Sequence, residues 1–345
     1  MKAMVLTGIR EMKMIEVPDP VIINDTDVLI KMNTVGVCGS DMHYYTTGKI
    51  GTQIVEYPFS VGHEGAGTVV KTGVAVNGIH VGQRVAIDPA MPCFKCDQCL
   101  SGREHTCRNL KFLGCPGQAE GCLSEYIVMP YTSCLPISSS MSFDEAVISE
   151  PLAIGIYAHK RSMTGRNANI GILGFGPIGM SVLIQSLAEG AGRVYVTDKI
   201  TDRLNMALKA GAYWSGNPDK TDVVNEINKL EPLSLDVVFE CCGKQEAVDQ
   251  AVELVKPGGK IMIIGIPEFD NWVFNTHNIR RKEITIVNVR RQVSCTKEAL
   301  DGMDSHKLDV SMMTTHHFNF TKAREAFDLV ADYKDGVMKA MIDFK

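Results

Sequence analysis

From about Asp144 onward, short apolar runs alternate with segments of helical texture. The runs lie at 169–173, 194–197, 237–239 and 261–264, and the helical segments at 145–160, 178–189, 200–210 and 244–255. A run that is apolar at every position suits a strand covered on both faces. The alternation therefore predicts an α/β domain, a doubly wound parallel sheet. Before Phe143 the texture is different: glycine is frequent and β-branched runs are short, as at 27–30 and 67–70. That pattern predicts short strands joined by turns in a mainly-β domain. Past Lys282, an apolar run at 284–287, a helix over 320–330 and a strand over 340–344 predict a tail that rejoins the first domain. The expected organisation is thus 1–150, 151–284 and 285–345.

A chain of 345 residues has room for two domains, and 45% hydrophobic with 22% charged residues is the composition of a globular protein. Forty acidic against 35 basic residues leave a net charge of -5, which gives no electrostatic footprint for nucleic acid or an anionic membrane. The opening MKAMVLTGIREMKMIEVPDP is interrupted by charges at Lys2, Arg10, Glu11, Lys13 and Glu16, so it is not the apolar core of a signal peptide, and a cytoplasmic protein is expected. An uncharged stretch at 167–188 has the length of a membrane span, but its four glycines and its proline fit a buried strand, turn and helix better. Eleven cysteines in such a chain point to metal or thiol chemistry rather than a disulfide framework.

The uncharged stretch holds Gly174-Phe175-Gly176-Pro177-Ile178-Gly179, a GxGxxG motif between a predicted strand and a predicted helix. Alone the motif is weak. Its context and Asp198, nineteen residues beyond Gly179 and after the next strand, make it a dinucleotide fingerprint. Gly174, Gly176 and Gly179 let the backbone approach the pyrophosphate, and Pro177 and Ile178 open the helix whose amino terminus stabilises its charge. Asp198 accepts hydrogen bonds from the adenosine ribose and repels a 2′-phosphate, so NAD is preferred over NADP. Arg203 is expected to pack near the adenosine end, Lys199 is close by, and Gly265 follows the last core strand at the cofactor.

Cys93, Cys96, Cys99 and Cys107 are spaced x2, x2 and x7, which lets four thiolates converge on one tetrahedral zinc. Such a closed site is structural. A second set is dispersed: Cys38 in VCGSD, His63 and Glu64 in GHEGAG, and Glu150 in SEPL. Spacing cannot show whether these converge.

The order of these motifs resembles that of zinc-dependent medium-chain dehydrogenases, and most of all their sorbitol (polyol) dehydrogenase branch, over nearly the full length. The resemblance implies a GroES-like mainly-β catalytic domain, completed by the carboxy-terminal tail, and a Rossmann NAD-binding domain. It also implies a second, catalytic zinc held by Cys38, His63 and a glutamate, with Glu64 and Glu150 both matching. A cysteine stands at the Glu150 position in the alcohol dehydrogenase branch. Charge favours one carboxylate on the metal at a time, and we expect Glu64 in the resting state with Glu150 exchanging in. Ser40 and His43 match the family's proton relay, Tyr44 a tyrosine that lines the substrate pocket, and Arg290 an arginine that touches substrate or cofactor. Arg291 stands where that branch often has tyrosine, which opens sugar acids or phosphates as substrates. The activity implied is NAD-linked oxidation of a polyol's secondary alcohol. Threonine-type, sugar-acid and sugar-phosphate dehydrogenases, or a non-catalytic NAD-binding protein, are the alternatives. By resemblance a homo-oligomer is expected, a tetramer or dimer.

Overall fold

The computed structural model describes all residues, Met1–Lys345, and these divide into two compact units. The first comprises Met1–Glu150, Thr296–Ser305 and Thr314–Lys345; the second, Pro151–Cys295 and His306–Met313. The chain thus returns to the first unit at Thr296 rather than at 285, because the strand Thr285–Asn288 belongs to the second unit's sheet, beside Val255–Ile263.

The first unit is built on a seven-stranded sheet. Its order runs Cys134–Pro136, Arg84–Ile87, Glu64–Thr72, Asp27–Gly36, Lys339–Asp343 and Thr314–Asn319, with Tyr126–Pro130 also paired to Asp27–Gly36. Inward residues such as Ile30, Met32, Ile87 and Met129 are fully buried and form the core with Leu6, Tyr45 and Phe327. One register decides where the chemistry falls. Gly36, the last residue of its strand, lies opposite Glu64 on one side and Met341 on the other. Cys38 two residues on, His63 one residue back from Glu64, and Lys339 two back from Met341 therefore meet at one end of the sheet.

Gly36 has to be glycine. A Cβ there would lie 2.5 Å from Glu64 Oε2 and 2.7 Å from Val147 Cγ1, so a side chain would displace both the carboxylate and the helix Phe143–Ser162. That helix opens with a capping box: the Glu145 N–H donates to Ser142 Oγ at 3.1 Å, and Glu145 Oε2 accepts from the Ser142 N–H at 2.7 Å. Pro151 lies inside it and removes one backbone donor just after Glu150.

The second unit holds a six-stranded, all-parallel sheet in the order Trp214–Gly216, Val194–Thr197, Ile170–Leu173, Leu235–Glu240, Val255–Ile263 and Thr285–Asn288. Three of its inner strands, Val194–Thr197, Ile170–Leu173 and Leu235–Glu240, are almost wholly buried, and the fourth, Val255–Ile263, is buried along its apolar end at Ile261, Met262 and Ile263. The chain's order reverses between Ile170–Leu173 and Leu235–Glu240, the switch point where such sheets bind ligands. No helix in the molecule is long and apolar enough to cross a membrane.

Candidate active site and metal centres

Cys38 is the N-cap of the helix Gly39–Thr47, which sequence patterning did not reveal and which carries Ser40, His43 and Tyr44. The ligand atoms of Cys38, His63 and Glu64 lie within 4.8 Å of one another. Glu150 stands outside this set, although it is buried and feels the charges of His63, Glu64 and Lys339. Burial pushes its carboxyl up to about 7, the Glu64 charge adds to the rise, and His63 and Lys339 oppose it.

Two residues not assigned from sequence complete the arrangement. Asp41 is fully buried; its Oδ1 lies 3.3 Å from His63 Nδ1, and its carboxylate accepts from the N–H groups of Cys38 at 3.3 Å and Gly62 at 3.4 Å. It fixes the imidazole with Nε2 as the nitrogen left for a ligand. Burial by itself would lower the His63 pKa, but Asp41 and Cys38 hold it well above its ordinary value. Lys339, 1% exposed, donates to both oxygens of Glu64 at 2.7 and 2.6 Å and to the Val37 carbonyl at 3.2 Å. The lone lysine in Val-Met-Lys-Ala-Met-Ile, on a strand expected to be buried, was the signal available for it. A thiol, an imidazole and a carboxylate converge here, with Lys339 as the buried counter-ion of the carboxylate. This donor set fits a divalent metal with three protein ligands.

Ser40 Oγ donates to Cys38 Sγ at 3.4 Å, and His43 is half-buried one turn further along the helix. Tyr44, buried, donates its hydroxyl to Gln53 Oε1 at 3.4 Å. Arg290 is exposed just past the strand Thr285–Asn288 in the second unit.

In the cysteine lobe the Sγ atoms of Cys96 and Cys99 are 3.6 Å apart, and those of Cys96 and Cys107 are 3.8 Å apart. About 3.8 Å is the edge of a tetrahedron with zinc–sulfur bonds of about 2.3 Å, and far too long for a disulfide. The backbone N–H groups of Cys93 and Asn109 each donate to Cys107 Sγ at 3.3 Å. The Lys95 N–H draws the Cys93 thiol down to about 6. These donors suit thiolates, and the lobe fits zinc.

In the second unit, Gly174 has φ +93°, and a Cβ on it would sit 2.7 Å from that of Cys242; one on Gly179 would sit 2.2 Å from the Gly174 carbonyl oxygen. Gly176 caps the helix Pro177–Ala188, which begins with Pro177 and Ile178. Asp198, at the end of Val194–Thr197, accepts from the N–H groups of Phe175 at 2.6 Å and Ile200 at 2.8 Å, so it also holds the glycine loop. Arg203 is buried with its guanidinium 3.5 Å from where a Gly176 side chain would start. Gly265 packs on Gly243 and on Glu240, whose backbone carbonyl accepts its N–H at 3.1 Å.

An alcohol dehydrogenase GroES-like domain model matches residues 24–139, and a zinc-binding dehydrogenase model matches residues 177–305. The chain is 34% identical to a sorbitol dehydrogenase of Bacillus subtilis over 99% of its own length and 97% of the relative's. It is 32% identical to an L-idonate 5-dehydrogenase of Vitis vinifera over 88% and 85%. Among solved structures, an Escherichia coli oxidoreductase/dehydrogenase of unknown specificity superposes with TM-score 0.93 at 32% identity, covering 100% and 99% of the two chains. An NADP-bound zinc-binding dehydrogenase of Sinorhizobium meliloti superposes with TM-score 0.89 at 27% identity, covering 99% of each.

Proposed function

The chain belongs to the zinc-dependent medium-chain dehydrogenases, and on that premise we propose that it oxidises a secondary alcohol of a neutral polyol to the ketone, with NAD as acceptor. The observation that carries this reading is the convergence of Cys38, His63 and Glu64 with a second buried carboxyl, Glu150, close enough to feel them. When bound, zinc supplies a Lewis acid that eases loss of the alcohol proton, and NAD supplies the hydride acceptor.

The chain's own residues do the rest. Cys38, His63 and Glu64 hold the metal, Asp41 orients His63, and Lys339 sets how much of the Glu64 charge the metal receives. Glu150 is the carboxyl that exchanges with Glu64. Ser40 takes up the alcohol proton and passes it toward His43 and solvent. Tyr44 and Arg290 contact the substrate or the cofactor's reactive end. Gly174, Gly176, Gly179 and the helix amino terminus at Pro177 and Ile178 receive the pyrophosphate. Asp198 and Arg203 serve the adenosine ribose, and Gly265 keeps the crevice wall thin. Cys93, Cys96, Cys99 and Cys107 hold a structural zinc. The strand Thr285–Asn288, last in its sheet, offers an open hydrogen-bonding edge that supports a homo-oligomer, a dimer or tetramer.

The test is reduction of NAD and NADP measured over polyols, sugar acids, sugar phosphates and threonine. Polyols with NAD should give the highest kcat/KM. A preference for sugar acids, the second reading that the L-idonate 5-dehydrogenase likeness favours, would replace the polyol assignment.

A further inference from the structure

Beside the candidate metal centre, three neutral side chains hold one another. Gln53 Nε2 donates to Cys115 Sγ at 2.9 Å, Gln53 Oε1 accepts the Tyr44 hydroxyl at 3.4 Å, and Tyr44 Oη lies 3.8 Å from Cys115 Sγ. Cys115 ends a turn that leans on the centre itself. The Phe112 ring lies 5.5 Å from that of His63, the Cys115 N–H donates to the Phe112 carbonyl at 3.2 Å, and Gly114 (φ +67°) packs directly on the backbone of Gly62. Tyr44 is carried on the helix that Cys38 caps. Tyr44 and Cys115 are buried, whereas Gln53, on the short strand Gln53–Ile54, remains partly exposed.

We propose that Gln53, seated on Cys115 and Tyr44, is a specificity-determining residue that receives a neutral hydroxyl of the substrate away from the reacting carbon. The inference rests on the polyol reading and narrows it. The primary amide has two N–H groups and two oxygen lone pairs. Its bonds to Cys115 and Tyr44 use one of each, which leaves one donor and one acceptor of a half-buried amide for a ligand. A hydroxyl is both donor and acceptor and satisfies both. A carboxylate or phosphate presents acceptors alone and needs a cation or several donors, so the lone pair of Oε1 would face negative charge. A substrate lacking the hydroxyl leaves the amide's groups unpaired, which is the basis of strong selection by polar sites.

The experiment compares wild type, Gln53→Met and Gln53→Glu as zinc-loaded enzymes on a polyol, on the sugar acid of equal chain length and on 2-propanol, which has no second hydroxyl. Zinc content and melting temperature are recorded for each. Met keeps the length of Gln53 without its polar groups, and Glu keeps an acceptor but cannot donate to Cys115. Both variants should lose about 10-fold or more in kcat/KM for the polyol, mostly through KM, with 2-propanol unchanged within about 2-fold. Equal changes on polyol and 2-propanol, or no change on either, overturn the role of Gln53 while the polyol reading stands. A wild type that oxidises sugar acids and not polyols overturns the polyol reading and the neutral hydroxyl with it. Should Gln53→Met fail to fold, the polyol-to-2-propanol ratio of Gln53→Glu decides.

Discussion

The cysteine lobe and the centre around Cys38 gather electron-rich side chains to within reach of a single cation in opposite ways. The lobe draws all its ligands from one loop, at 93, 96, 99 and 107, in a segment with a four-residue helix and exposed Phe94 and Leu100. The other centre draws Cys38, Asp41, His63, Glu64, Glu150 and Lys339 from four places along the chain, and the sheet register at Gly36 brings the central ones together. A loop ligand set depends on its metal for its shape, whereas a sheet-borne set keeps its shape when the metal leaves. The lobe's metal should therefore matter to stability, and the other metal to chemistry.

Cys96→Ser gives the largest expected effect. Removing one thiolate leaves the lobe without a closed site, and the loss of a structural metal is among the few mechanisms that exceed about 4 kcal/mol. Calorimetry should show a lower melting temperature, and elemental analysis one zinc fewer per chain. An unchanged melting temperature would break the comparison at its first term.

Next comes Lys339→Met, which leaves the Glu64 carboxylate buried without its partner. Breaking a buried ion pair from one side is destabilising by about 3 kcal/mol or more. Denaturant unfolding of chelated protein should show that loss in full, and zinc should reduce it by neutralising Glu64. Equal losses with and without zinc would take Glu64 out of the ligand set.

The two glutamates sharpen the second term. Glu64→Ala should lose the zinc of that centre, measured by elemental analysis. Glu150→Ala should keep it while kcat/KM falls about 10–100-fold, the usual effect of removing a group that supports a metal site without holding it at rest. The reverse pattern would exchange their roles.

Asp198→Ala takes the comparison to the second unit, where the glycine loop is again a contiguous motif but needs a residue from the next strand. Affinity for NAD should fall roughly 10- to 100-fold, since a hydrogen bond to a charged group is worth about 1.5–3 kcal/mol, and NADP should be tolerated better. Calorimetric titration of both nucleotides measures this; an undiminished rejection of NADP would place the selectivity elsewhere.

The smallest effect is a slope. Glu150 is held up to about 7 by burial, above the ordinary 4.5, so the metal-free fold binds its proton more tightly than the unfolded chain does. That contribution is complete below pH 4.5 and is lost as pH rises to about 7. Stability of chelated protein should decline across this window, and Glu150→Gln should flatten the decline.

The cysteine lobe, the glycine loop with Asp198 and the alternation of strands and helices in the second unit were legible in the sequence because each is local. Spacing alone fixes what four thiolates or three glycines can reach, and an unbroken apolar run at 194–196 or 170–173 has no stable place except inside a covered sheet. The register that joins Glu64, Gly36 and Met341 was decided by tertiary structure, and with it the company of Cys38 and the buried pairing of Lys339. Strand pairing is chosen by which faces bury together across the whole sheet, and no short window records it. The helix Gly39–Thr47 was hidden for a related reason: its polar Ser40 and Asp41 and its β-branched Thr46 and Thr47 carry little helical signal. Asp41, sealed against His63 and the backbone, shows its purpose only once the sheet has placed His63 beside it.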